Sequence, residues 1–266
     1  MLIIGEKING SIPSAKQIIQ NFDEDKLLDL AERQAEAGAD YIDVNVGTGT
    51  GSREDEIQAM KWAVATMQKQ IDKPLCIDSS DPAVLQAGLS VLDGRPCMIN
   101  STNAEKEHLQ QVLPLAQAYN ALLIALPIDE NGIPATVENR LSVCAKLVNA
   151  CESQGIPIAN ILFDPLVLPV ATDTQQGKIT LDTLAAIKRA FPAAKTVMGL
   201  SNISFGLPKR KRINHALMHM AIYAGLDAAI ADPSDRELMQ TVKAAEVVAG
   251  RDRHCRRYTR ALRKEQ

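Results

Sequence analysis

Along almost the whole chain, short apolar runs alternate with longer stretches in which apolar residues recur every three or four positions. The short runs, rich in Ile, Val and Leu, predict strands over 2–8, 41–46, 74–79, 97–101, 121–126, 161–164, 195–200 and 227–231. The stretches between them predict helices over about 25–37, 54–71, 82–92, 105–119, 138–154, 180–190, 211–224 and 235–249. A strand-then-helix repeat specifies parallel strands with helices covering them, and eight of each is the count of a single (β/α)8 TIM barrel. The 266 residues suit one such domain, which usually needs about 250.

Turn residues fix the phase of this pattern. Asp81-Pro82 and Asp232-Pro233 stand where helices should start, because a side-chain oxygen and a fixed φ both suit a first turn. Gly38, Gly155 and Gly225 stand where helices should stop, each a few residues before a strand. Loops before strands are therefore short. The loops after strands, 47–53, 127–137, 165–179 and 201–210, are longer and richer in Gly, Pro, Asn, Thr and Ser, so function is expected on that face.

That face collects polar ends. Apolar runs give way to Asp or Asn at Asp43 and Asn45, Asp78, Asn100, Asp164 and Asn202, and Glu6, Asn9, Ser201 and Asp232 occupy similar places. Parallel strands leave their carboxyl ends together, so these groups should surround one cavity. Carboxylates mixed with amides, without fixed positive charge, suit a ligand rich in N–H donors, and the amino-pyrimidinone edge of a flat heterocycle would satisfy Asp78, Asn100 and Asp164 together. Asp81 and Asp232 are expected to cap helices instead.

Composition narrows the alternatives. Apolar residues make up 46% of the chain and aromatic ones 3%, so Ala, Leu, Ile and Val must fill the core. A net charge of −3 gives no electrostatic case for binding nucleic acid. No apolar run reaches the roughly 18–20 residues of a membrane span, and Met-Leu-Ile-Ile-Gly-Glu lacks the charged start of a signal peptide, so a cytoplasmic setting is expected. The five cysteines form neither a disulfide framework nor a zinc pattern, and four of them (Cys76, Cys97, Cys144 and Cys151) sit among apolar neighbours. Residues 251–266 carry seven Arg or Lys against two acidic residues and stand apart as a basic tail, either a solvated helix or a contact for an acidic partner; 1–250 is the barrel domain.

Other chemistry fits less well. A bound Mg²⁺ or Mn²⁺ would take these oxygen ligands but would call for a phosphate or enolising carbonyl beside it, so no metal is expected. His215 and His219 are four apart without an intervening Glu, and a plain helix surface is the expectation. Gly47-Thr-Gly-Thr-Gly-Ser52 lacks the Gly-Lys-Ser/Thr ending of a P-loop and is taken as an active-site loop. Neither a Gly-x-Ser-x-Gly elbow nor a Cys-His pair points to covalent catalysis.

The motifs Ile4-Gly-Glu-Lys-Ile-Asn-Gly10, Asp43-Val-Asn-Val-Gly47, Cys76-Ile-Asp-Ser79, Met98-Ile-Asn-Ser-Thr-Asn-Ala-Glu105, Asp164-Pro-Leu166, Gly199-Leu-Ser-Asn-Ile-Ser204 and Gly225-Leu-Asp-Ala-Ala-Ile-Ala-Asp232 occur in this order. Through them residues 1 to about 249 resemble the methyltetrahydrofolate:corrinoid protein methyltransferases of the pterin-binding family. The resemblance implies methyl transfer between N5 of tetrahydrofolate and the cobalt of a cobalamin carried by a separate corrinoid protein, in either direction, by a homodimer. It implies that Asp78, Asn100 and Asp164 bind the pterin edge, that Asn202 hydrogen-bonds N5 with Asp43 in its network, and that Glu6, Gly199, Ser201 and Arg210 line the site. The chain lacks an Asp-x-His-x-x-Gly corrinoid signature, and Lys209-Arg-Lys-Arg212 is unusually basic for the family. A dihydropteroate synthase-like enzyme, whose corresponding segment has a Ser-Arg-Lys type motif where this chain has Ser201-Asn-Ile203, and a non-catalytic folate-binding scaffold are the alternatives.

Overall fold

A computed structural model describes residues 1–263. Eight parallel strands, β1 (Leu2–Asn9), β2 (Tyr41–Asn45), β3 (Leu75–Asp78), β4 (Cys97–Thr102), β5 (Leu122–Ala125), β6 (Ile161–Phe163), β7 (Lys195–Gly199) and β8 (Ala228–Ala231), close in chain order into a barrel. Around them lie α1 (Pro13–Gln20), α2 (Glu24–Glu36), α3 (Arg53–Met67), α4 (Pro82–Leu89), α5 (Lys106–Ala118), α6 (Val137–Ser153), α7 (Gln176–Ala190), α8 (Arg210–Ala224), α9 (Arg236–Val248) and α10 (Arg256–Arg263). No helix among the described residues is long and apolar enough to cross a membrane.

Alternation along each strand builds two apolar layers. Ile4, Cys76, Met98, Ile124, Leu162, Val197 and Ala228 point inward and fill the barrel, joined by Leu2, Tyr41, Leu122 and Ile230. Ile42, Val44, Ile77, Ile99, Leu123 and Phe163 point outward under the helices. Each fully buried Leu or Ile is worth roughly 1.5–3 kcal/mol, so a core nearly without aromatics suffices when both layers are closed. Two residues beyond the inward apolar positions come Glu6, Asp43, Asp78, Asn100, Asp164, Gly199 and Asp232, so strand periodicity itself delivers these positions to the mouth.

β1 carries a register shift between Gly5 and Ile8, and the Lys7 N–H lost from the ladder donates instead to Gln34 Oε1 of α2 at 2.9 Å. Irregularities of this kind re-aim side chains beside functional mouths.

The expected strands agree with the structure to within two residues at each end; several helices do not. Helix α1 was not expected, because eight residues beginning at Pro13 are too short for a periodic signal. Helix α7 starts at Gln176 rather than 180, organised by Asp173, whose Oδ1 accepts the Gln175 N–H at 2.9 Å and whose Oδ2 accepts the Gln176 side chain at 2.9 Å. Asp81 caps α4 as expected. Asp232 does not cap a helix: its Oδ1 accepts the Ser234 N–H in a turn, its Oδ2 pairs with Lys7 Nζ at 2.8 Å, and Asp235 caps α9. In the basic tail, α10 is tied back by Arg257, paired with Glu246 at 3.2 Å; residues 264–266 lie outside the described residues.

Gly10, just after β1, faces the carbonyl of Gly47, and a Cβ there would stand 2.6 Å from that oxygen. Since backbone cannot swing aside as a long side chain can, Gly10→Ala should lower the urea midpoint by the equivalent of about 1–3 kcal/mol. An unchanged midpoint would show that the two loops separate freely.

Candidate functional site

At the mouth, β2, β3 and β4 set a carboxyl-amide cluster side by side, because Asn45 pairs in register with Asp78 and Asp78 with Asn100. Asn45 Nδ2 donates to Asp78 Oδ2 at 2.9 Å, while Asn45 Oδ1 accepts the Gly47 N–H at 3.0 Å, which fixes the orientation of the amide. Asn100 Nδ2 donates to Asp43 Oδ1 at 3.2 Å. Asp43 is 2% exposed, and burial followed by the charge of Asp78 pushes its pKa well above the usual carboxylate range. Asp78 is also raised by burial, against the opposing hydrogen bonds from Asn45 and Asp43. The two carboxyl groups hydrogen-bond each other, so burial and their mutual repulsion push the pair together toward protonation. Cys76, one turn of the pleat below Asp78, adds its thiol to Asp43.

Asp164 closes the opposite side. Burial lifts its pKa to about 6, opposed by the Leu166 and Gly199 N–H groups and by Arg140. The Leu166 N–H reaches Asp164 Oδ1 at 2.8 Å. An ionised carboxylate offers about four lone-pair sites, so these contacts leave Asp78 and Asp164 with acceptor capacity for a ligand.

The third sector joins β1 to the loop after β7. Ser201 Oγ approaches Glu6 Oε2 at 3.5 Å, and burial, countered first by Lys7, raises the Glu6 pKa. A Cβ on Gly199 would stand 3.2 Å from Asn202 Nδ2, so the missing side chain leaves that amide room on the rim. Asn202 is exposed and has no side-chain hydrogen bond among the described residues. Arg210 does not reach across the mouth. Its Nη2 donates to the Ser201 carbonyl at 2.6 Å, its Nε donates to Ser204 Oγ at 3.0 Å, and its guanidinium lies 6.0 Å from the Phe205 ring centre, bracing the loop that carries Ser201 and Asn202.

The loop 47–52 ends in a capping box, with Ser52 and Asp55 bonded reciprocally at the start of α3, and Lys16 Nζ of α1 donates to the Thr48 carbonyl at 2.8 Å. His215 and His219 do not converge on one ligand: His219 Nδ1 faces the His215 carbonyl at 2.8 Å, whereas His215 turns to Asp235. Ligand atoms of His215, Asp235 and Glu237 lie within 4.8 Å of one another, but Asp235 is engaged by Lys211 Nζ at 2.9 Å and caps α9.

Two supporting residues escaped the sequence reading. Asn45 stands at a strand end and holds Asp78, a role that its place in the pattern does not by itself assign. Arg140 is 1% exposed behind Asp164; it stands three, four and seven residues before the buried Val143, Cys144 and Leu147, and a cation on an apolar helix stripe is the signal that would have found it.

Comparison with known proteins gives three findings. Residues 8–232 match the sequence family described as pterin binding enzyme. The methylcorrinoid:tetrahydrofolate methyltransferase of Eubacterium limosum is 37% identical over 265 residues, 99% of this chain and 96% of that protein, and the methionine synthase of Mycobacterium leprae is 35% identical over 248 residues, although the match spans only 20% of that longer protein. A solved dihydropteroate synthase from Coxiella burnetii, in complex with pteroic acid, superposes with a TM-score of 0.69 over 94% of this chain and 92% of its own at 17% identity, a likeness of fold alone.

A carboxyl whose pKa rises on folding adds stability that is complete below its unfolded pKa and lost as pH climbs through the folded one. For Asp164 that window runs from 3.8 to about 6. Asp164→Asn should therefore stabilise the ligand-free protein by roughly 3 kcal/mol at pH 8 and by much less at pH 4, as read by urea unfolding at both values. A larger gain at pH 4 would contradict the burial of that charge.

Proposed function

The chain belongs to the pterin-binding enzyme family, and from that premise we propose that it transfers a methyl group between N5 of tetrahydrofolate and the cobalt of a separate corrinoid protein, in either direction, within one-carbon metabolism. The observation that carries this reading is the set of half-buried acceptors, Asp78, Asn100 and Asp164, brought to one mouth by the strand ends. A pterin presents ring N–H and exocyclic NH₂ donors along one edge, and those donors match such acceptors better than phosphate or carboxylate substrates would.

In this reading Asp78, Asn100 and Asp164 clamp the pyrimidine edge, and Glu6, Gly199 and Ser201 line the cavity, with Arg210 bracing its rim. When the methyl group leaves N5 for cobalt, the bonding pair stays on nitrogen and negative charge builds there. Asn202 relieves that charge by donating its amide N–H to N5, and Asp43, pushed toward protonation by burial and by Asp78, supplies the network behind it through water. The amide stabilises charge but cannot itself act as an acid. In this reading the chain binds no metal of its own and meets cobalt only on its partner. The same reading has the enzyme cytoplasmic and homodimeric; Met220 and Tyr223, 56% and 82% exposed on α8, are apolar surface of the kind a subunit contact would cover.

Anaerobic mixing of the protein, 5-methyltetrahydrofolate and reduced corrinoid protein tests the proposal, since gain of the methyl group changes the cobalt spectrum. Asn202→Ala should slow that change by about 10², the scale of losing one transition-state donor, with folate affinity altered far less. A rate within a few-fold of wild type would remove Asn202 from this role, and folate binding with no cobalt change by the wild-type protein would make it a scaffold.

A further inference from the structure

Arg140 is fully buried yet makes no ion pair among the described residues; its partners are three backbone carbonyls. Nε donates to Pro134 O at 3.0 Å in the loop after β5, and Nη1 donates to Pro165 O at 2.6 Å and Leu166 O at 3.2 Å in the loop after β6. Burying a guanidinium without a carboxylate against it costs several kcal/mol, and three carbonyl oxygens offset that only in part. The fold keeps it in spite of the expense, on the element that faces Asp164.

The turn it grips is unusual. Leu166 has φ +63°, a conformation that bulky side chains seldom adopt. Its N–H is held by Asp164 Oδ1, and its carbonyl is held by Arg140 and by Thr180 Oγ1 at 3.3 Å. Asp164-Pro165-Leu166 is thus fixed from the carboxylate side and from the carbonyl side. The groups acting on Asp164 are the Leu166 and Gly199 N–H groups and Arg140, which is the only charged side chain among them.

We propose that Arg140 is the positioning residue for Asp164, holding the turn after β6 in the shape that presents its carboxylate to the ligand's N–H donors. This rests on the pterin reading of the mouth. It gives Arg140 two separable duties, one of geometry and one of charge.

Two substitutions separate them. Arg140→Gln keeps some hydrogen bonding and removes the charge; Arg140→Lys keeps the charge and loses the fork. Carboxyl NMR of the folate-free protein reports the titration midpoint of Asp164, and calorimetry reports the dissociation constant of tetrahydrofolate. In Arg140→Gln the midpoint should rise by about one pH unit and folate binding at pH 7 should weaken about tenfold, while kcat at saturating folate stays within about threefold. In Arg140→Lys the midpoint should stay in place and binding should weaken about threefold. An unmoved midpoint in Arg140→Gln, or an equal shift in both variants, overturns the proposal. If Arg140→Gln does not fold, unchanged folate binding by Arg140→Lys overturns it alone. Undiminished folate binding by Asp164→Asn would instead defeat the pterin reading, and the folate-free midpoint would still decide whether Arg140 acts on Asp164.

Discussion

An ionised carboxylate is costly to remove from water, and this barrel carries three aspartates at its mouth that burial pushes toward protonation. Much of the surrounding structure answers that constraint. Asn45 and Asn100 turn amide donors onto Asp78 and Asp43, the two carboxyl groups hydrogen-bond each other, and backbone N–H groups with Arg140 attend Asp164. The one cation among these devices, Arg140, stands behind the turn after β6 and is bonded to backbone carbonyls. The closed sheet beneath makes them possible, since a barrel has no edge strands to protect and its apolar plug of Ile4, Cys76, Met98, Leu162 and Val197 sets a dry floor under the polar layer.

Much of this was legible in the sequence because a strand has a period of two. Once Tyr41, Cys76, Met98 and Leu162 are taken as inward, Asp43, Asp78, Asn100 and Asp164 follow two residues later, and parallel strands bring them to one end. What stayed hidden has physical reasons. Helix α1 is shorter than the window in which helical periodicity shows. Asp232 and Asp235 offer the same capping chemistry three residues apart, and only the turn made by Pro233 and Ser234, together with the pull of Lys7 on Asp232, decides between them. Arg210 takes its site role from resemblance alone, and its bonds to the Ser201 carbonyl and its approach to Phe205 are set by the loop rather than by any periodic pattern.

Fold and chemistry separate here. The barrel is shared with a dihydropteroate synthase at 17% identity, whereas the methylcorrinoid:tetrahydrofolate methyltransferase of Eubacterium limosum is 37% identical along nearly the full length of both chains. The loop after β7 bears on the same distinction. It presents Ser201, beside Glu6, and Asn202, both neutral donors and acceptors, and turns its arginine onto the Ser201 carbonyl and Ser204 Oγ. A neutral amide at that place suits a nitrogen gaining negative charge more than it suits an anionic second substrate.

The central claim is that the acceptors at the strand ends converge on a pterin. A crystal structure with 5-methyltetrahydrofolate bound tests it most directly. The amino-pyrimidinone edge should lie within hydrogen-bonding distance of Asp78, Asn100 and Asp164, with N5 turned to Asn202. Folate seated elsewhere on the barrel, or seated in the mouth with that edge turned away from these three residues, would contradict it.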